Sequence, residues 1–325
     1  MLLVTGVAGF IGFHVASRRL EAGGAVVGID EVNSYYDPAL KRARLAKLAQ
    51  HKGFRFVEAD IAADGALEAA LPAANATEIV HLAAQAGVRY SLENPLAYER
   101  SNVRGHLNVL EYARAAKNLR HLVYASSSSV YGDRTDGPFR ETDRCDAPVS
   151  LYAATKRAGE LMSETYARIH GVPQTGLRFF TAYGPWGRPD MAVWSFTDAI
   201  LKGEPITIFG EGKLARDFTH IEDMVPAIIR ALETPPKAEE FGDAPHVICN
   251  LGNSSPSTVN DLVAAIEKAV GREAIKQFAP RNPVEVSATY ADVSRAAARF
   301  NFKPQITLED GVARFVEWRK AHPTF

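Results

Sequence analysis

The chain has 325 residues, 46% of them hydrophobic, enough for one enlarged α/β domain or two lobes around a substantial core. Lys plus Arg number 37 against 38 Asp plus Glu, with no basic run, which removes any electrostatic case for nucleic acid or an anionic membrane as partner. Cys145 and Cys249 lack CxxC or metal-ligand spacing, and no stretch approaches ~18 consecutive apolar residues, so a soluble, metal-free cytoplasmic protein with two structural thiols is expected.

In chain order, short apolar runs alternate with helical patterns. Leu2–Val4, Ala25–Ile29, Phe54–Val57, Glu78–Leu82, His121–Tyr124 and Gln174–Arg178 are predicted strands; Phe10–Ala22, Pro38–Gln50, Pro95–Lys117 and Leu151–His170 are predicted helices. Near-continuous apolar strands separated by helices predict a doubly wound parallel sheet covered on both faces. After Arg178, Gly- and Pro-rich connections at 181–190, 202–217 and 234–245 suggest a smaller substrate-covering lobe. A helix at Glu222–Glu233 and a strand at His246–Leu251 are expected to rejoin the sheet. The expected division is a dinucleotide-binding domain of 1–178 plus roughly 219–251, and a second lobe of 179–218 and 252–325.

Gly6, Gly9 and Gly12 fall between the first strand and first helix, where glycine allows a tight turn and lets backbone N–H groups and the helix N-terminus approach a pyrophosphate. Asp30, ending the second strand, is placed to accept from a ribose diol and to repel a 2′-phosphate, favouring NAD over NADP; the alternative is that it merely caps the turn that follows. Further on, Ser126–Ser129 precede Tyr152 and Lys156. The last two lie four apart on a predicted helix and share a face. A cation at ~4 Å in an effective dielectric of ~20 is worth about 4 kcal/mol. That would lower a phenol by roughly 3 units, enough for base catalysis near neutrality.

Together these segments resemble the extended short-chain dehydrogenase/reductase family over almost the whole chain. Within it the resemblance is to the UDP-glucuronate 4-epimerases, carried by Ser34 to Arg44 (SYYDPALKRAR), His81 to Arg89 (HLAAQAGVR) and Arg178 to Met191 (RFFTAYGPWGRPDM). The resemblance implies a catalytic triad of Ser127, Tyr152 and Lys156. It also implies an NAD site built from Gly6, Gly9, Phe10, Ile11, Gly12, Asp30, Asn33, Asp60, Ile61, Leu82, Ala83 and Ala84, with Tyr152 and Lys156. Ser128, Thr181, Arg188, Thr207, Phe209, Arg216 and Arg281 are the implied contacts to a UDP-sugar: Phe209 beside uracil, Arg216 on phosphate, Thr181 and Arg188 on the sugar carboxylate. Arg188 could instead brace a surface loop with Asp190, and Arg216 could pair with Asp217 or Glu222. The segment Arg281 to Glu285 departs from the family's pattern, which leaves the uridine-ribose contacts open. The implied chemistry is transient oxidation at C4 to a 4-keto sugar, with NAD retained and regenerated. A decarboxylase acting on the same substrate, another UDP-sugar 4-epimerase and an idle NAD-binding regulator remain alternatives. By the same resemblance, Pro95–Lys117 and Leu151–His170 are expected to pair across a two-fold axis in a homodimer.

Overall fold

The computed structural model describes residues 1–240, 242, 244–281 and 286–325. Its centre is a parallel sheet of seven strands: β1 (Leu2–Thr5), β2 (Val26–Asp30), β3 (Phe54–Glu58), β4 (Glu78–His81), β5 (His121–Ser127), β6 (Gln174–Phe179) and β10 (His246–Leu251), with strand order β10-β6-β5-β4-β1-β2-β3. Every residue of β1, β4 and β6 is buried. Burial on both faces is why β1 is almost wholly apolar, and the polar residues of β4 and β6 are held by partners, Glu78 by Arg19 and Arg120, and Arg178 by Glu160. The order reverses between β1 and β4, and in such sheets the crevice beyond the strand ends at that reversal is where ligands bind.

Two smaller sheets come from chain after residue 180. One places β9 (Ala215–His220) between β7 (Thr181–Tyr183) and β11 (Pro256–Thr258); the other pairs β8 (Pro205–Phe209) with β12 (Ile275–Ala279). β10 returns to the main sheet in parallel register with β6, Cys249 opposite Leu177, as the apolar run His246–Leu251 suggested.

The helix Leu151–His170 shows how local chemistry positions the site. The Ser150 side chain caps it by accepting from the Ala153 N–H at 3.2 Å, and Gly171, with φ of 66°, ends it in the left-handed conformation glycine tolerates. Lys156, Glu160, Ser163 and Ala167 recur on the face turned to the sheet and are buried. The expected single helix Pro95–Lys117 is interrupted. A short helix Pro95–Tyr98 passes into a π-turn at Glu99–Arg104 before Gly105–Ala115 resumes. Within the π-turn Asn102 accepts from the Gln85 N–H at 2.8 Å and donates to Gln85 O and Thr155 Oγ1, both at 3.0 Å. Periodicity cannot show such an insertion, because the register shifts without changing the apolar content. Both cysteines are buried and unpaired, and no helix among the described residues is long and apolar enough to cross a membrane.

Candidate active site

A cleft of about 820 Å³ runs beyond the carboxyl ends of the main strands, at the upper end of the usual ~300–1,000 Å³ for a ligand site. Gly6, Gly9, Phe10, Ile11 and Gly12 form its floor after β1. Asp30 and Asn33 follow β2, Asp60 and Ile61 follow β3, and Leu82, Ala83 and Ala84 follow β4. A Cβ on Gly12 would stand 2.2 Å from Gly6 O, and one on Gly6, whose φ is 71°, only 2.6 Å from Ala83 N. Glycine is therefore required for the turn itself, and the small residues after β4 are packed against it. Gly9 starts the helix Phe10–Glu21 without a side-chain cap, which leaves the first N–H groups to a ligand anion.

Asp30 is both an acceptor in the cleft and a local brace. Its Oδ2 accepts from Ala8 N at 3.1 Å and its Oδ1 from Val32 N at 2.8 Å, so Asp30 caps the turn while also lining the cleft. Burial pushes the Asp30 carboxyl upward, and the Val32 N–H, the Lys41 charge and the Ala8 N–H oppose it. At the rim Asp60 is ion-paired with Arg100, and Asn33 Oδ1 is held by Lys41 Nζ at 2.6 Å.

Ser127, Ser128, Tyr152 and Lys156 line the same cleft. β5 runs on to Ser127, three residues past its expected end at Tyr124, and so delivers that hydroxyl to the strand terminus. Ser127 Oγ accepts from Ser129 N at 3.2 Å and lies close enough to the Tyr152 phenol to bear on its ionisation. Lys156 Nζ donates to Ala125 O at 2.9 Å and lies 6.0 Å from the centre of the Tyr152 ring. Burial lowers Lys156 to about 8, partly offset by Glu160. The phenol itself departs from the sequence-based expectation. In the protein alone burial pushes Tyr152 upward, with the Ser127 hydroxyl and the Arg188 charge acting against the rise.

Beneath the triad lies a support that motif reading missed. Glu160, one turn beyond Lys156, forms a two-pronged pair with Arg178 of β6 at 2.7 and 2.8 Å and accepts from Ser126 Oγ at 2.6 Å. It therefore clamps the Tyr152–Lys156 helix to the strand ends that carry Ser127 and Thr181. Arg178 stood inside a quoted motif, but nothing in its spacing pointed to Glu160.

The remaining expected substrate contacts divide. Thr181, Arg188, Thr207, Phe209 and Arg216 all line the cleft. Arg188 is paired with Asp190, its Nε 3.0 Å from Oδ1, while its Nη1 takes no part in the pair. Burial works against this guanidinium, but Asp190 outweighs it and holds Arg188 above its ordinary value. The Arg89 guanidinium, to which motif reading attached no role, lies 4.6 Å over the Phe209 ring. Arg281 is not among the residues that line the cleft; it pairs with Asp133 and donates to Ser287 Oγ at 2.8 Å. The substrate contact expected of Arg281 is thus not among those the cleft brings together, and Glu285 lies outside the described residues.

The profile of the NAD dependent epimerase/dehydratase family matches residues 2–251. The chain belongs to this family. A probable UDP-glucuronate 4-epimerase of Rhizobium meliloti is 47% identical over 99% of both chains. UDP-glucuronate 4-epimerase 1 of Arabidopsis thaliana is 48% identical over 98% of this chain and 76% of its own length. The crystal structure of the UDP-glucuronic acid 4-epimerase of Bacillus cereus with UDP-glucuronic acid and NAD superposes with a TM-score of 0.90 at 33% identity, covering 98% of this chain and 99% of the other. For this NAD dependent family member, the glycine cradle that a single Cβ would fill, the uncapped helix start and the buried carboxylate at the end of β2 form a donor and acceptor set suited to a dinucleotide.

Proposed function

We propose that the protein is an NAD-dependent UDP-glucuronate 4-epimerase, interconverting UDP-glucuronate and UDP-galacturonate. The observation that carries this reading is the presence of Arg188 and Thr181 in the same cleft as Ser127, Tyr152 and Lys156. A base triad suits a sugar hydroxyl, and a guanidinium and a hydroxyl in the same cleft suit a carboxylate on the neighbouring carbon.

When bound, NAD accepts and later returns the hydride at the sugar C4. Gly6, Gly9 and the helix start would hold its pyrophosphate, Asp30 its adenosine ribose, and Lys156 its nicotinamide ribose. Tyr152 takes the proton from the 4-hydroxyl and gives it back to the other face. Ser127 holds the same oxygen in position, and Lys156 supplies positive charge. The phenol, raised by burial in the protein alone, depends on that charge and on the cationic ring of the bound cofactor for its ionisation. Arg188 and Thr181 fix the C5 carboxylate. Once C4 is a ketone this group belongs to a β-keto acid, and CO₂ departs only when its bond aligns with the carbonyl π-system; holding it near the carbonyl plane prevents that. Phe209 and Arg216 take the uracil and the diphosphate.

In the same reading, residues 1–178 and roughly 219–251 hold the cofactor, while 179–218 and 252–325 close over the nucleotide sugar. Leu96 at 76% exposure, Leu161 at 54% and Leu107 at 39% place bare apolar surface on the two adjacent helical segments expected at the interface, which supports a homodimer. Incubating the purified protein with UDP-glucuronate should yield UDP-galacturonate of unchanged mass and no accumulated reduced nicotinamide. A pentose nucleotide as the main product would identify a decarboxylase instead.

A further inference from the structure

The segment after β2, Tyr35 to Arg44, carries a family-like motif to which the chemistry above assigns no work, yet it reaches the loop that presents Arg188. Arg44 is completely buried and forms no ion pair among the described residues. Its Nη2 donates to the carbonyls of Trp186 and Gly187, both at 2.7 Å, and its Nη1 to Ala8 O at 2.8 Å and Tyr36 OH at 2.7 Å, while its Nε has no partner. An arginine met only by neutral acceptors is an expensive way to fill a core, since burying a charge is unfavourable unless directed bonds repay it. The two carbonyls it grips immediately precede Arg188. Trp186 has φ of 62°, a left-handed conformation that a bulky side chain holds only when its surroundings enforce it. Tyr35 approaches the same loop from the other end, its hydroxyl donating to Asp190 Oδ2 at 3.1 Å, the oxygen that also receives Arg188 Nη2.

We infer that Arg44 and Tyr35 are positioning residues for the sugar carboxylate site: Arg44 fixes the backbone entering Arg188, and Tyr35 fixes the Asp190 carboxylate that orients its guanidinium. This rests on the uronate reading above. Tyr35 also occupies a lone pair of Asp190, so less of that negative charge faces an incoming carboxylate, and Arg188 Nη1 is left for the substrate. The cofactor turn shares the anchor through Ala8 O, so uronate recognition is built partly from the cofactor side of the molecule.

If the carboxylate is loosely held, the side reaction follows from the ketone. The C5–C6 bond breaks, its electron pair passes through C5 to the 4-keto oxygen as an enolate, CO₂ leaves and C5 takes a proton from solvent. The hydride removed at C4 is not returned, so reduced nicotinamide accumulates with the 4-keto-pentose nucleotide. The test compares wild type, Tyr35→Phe and Arg44→Lys as NAD-loaded protein, measuring KM and kcat for UDP-glucuronate, affinity for UDP, and products by mass spectrometry. Tyr35→Phe is expected to raise KM several-fold and Arg44→Lys at least tenfold. UDP affinity should stay within twofold, and the decarboxylated fraction should rise above wild type in both. Arg44→Lys failing to fold leaves Tyr35→Phe to decide alone. A Tyr35→Phe enzyme with wild-type KM and product ratio overturns the inference and leaves the epimerase reading intact. A wild type that does not turn over UDP-glucuronate overturns both.

Discussion

At the residue scale, the site depends on a phenol whose ionisation the protein alone does not favour. Burial raises Tyr152, the Ser127 hydroxyl acts against that rise, and Lys156 is itself brought down to about 8 by burial. In the proposed mechanism such a phenol would act as a base only with its ligands bound. Tyr152→Phe keeps the ring that packs 6.1 Å from Tyr98 and removes only the oxygen. It should therefore retain fold and cofactor while turnover falls by ~10²–10⁴ or more. Wild-type-like rates by product chromatography would take Tyr152 out of the mechanism. The Tyr152–Lys156 pair was legible as a local pattern one helical turn apart, whereas the choice of Ser127 among Ser126 to Ser129 came from the family resemblance. The pairing of Arg281 with Asp133 was not legible, because Asp133 lies far away in sequence and no periodicity links the two.

At the scale of elements, the helix Leu151–His170 and β6 act as one unit through Glu160 and Arg178, whose side chains are 1% and 2% exposed. Removing one member of such a pair strands the other charge in the core, which typically costs about 3–5 kcal/mol. Glu160→Gln should therefore lower the melting temperature by several degrees. It should also depress Lys156 further, because the Glu160 charge is what partly offsets burial there. An unchanged melting curve would show that Ser126 and Arg157, the other partners of Glu160, suffice to hold the helix. Strand and helix positions were largely foreseen from apolar runs and capping residues. The π-turn at Glu99–Arg104 was not, because it serves contacts from Asn102 to Gln85 and Thr155 that exist only after the chain has folded.

At the scale of the whole molecule, several histidines are folded into the interior as neutral rings. Burial lowers His14, His121 and His220 to about 4 and His106 to about 3, and puts His81 well below the ordinary value. In the unfolded chain each titrates near ~6.5. Between those values the unfolded state binds more protons, so stability falls as pH drops from about 6.5 towards 4. Calorimetry at pH ~5 in buffers of different ionisation enthalpy should find uptake approaching one proton per buried imidazole on unfolding. Uptake near zero would show that these rings are already charged in the native state. Assembly can be tested at this scale too. Leu161→Glu, on the exposed apolar stretch of the long helix, should convert the proposed dimer to monomer in sedimentation velocity, and an unchanged sedimentation coefficient would place the interface elsewhere.

By itself the sequence determined the winding of the main sheet, the glycine turn, the acidic end of β2 and the Tyr152–Lys156 pair on one helix face. These depend on apolar periodicity, on φ angles open only to glycine and on spacings within one helix or one strand–turn–helix unit, all interactions between near neighbours in the chain. Only the tertiary structure decided that Arg44 grips the backbone before Arg188, that Tyr35 holds Asp190, that Glu160 answers Arg178 and that Arg281 turns to Asp133. Those pairings join residues from 18 to 155 positions apart. Their partners are chosen by which polar groups remain unsatisfied once the strands and helices have packed, and a buried donor or acceptor takes whatever partner the packing brings within about 3 Å.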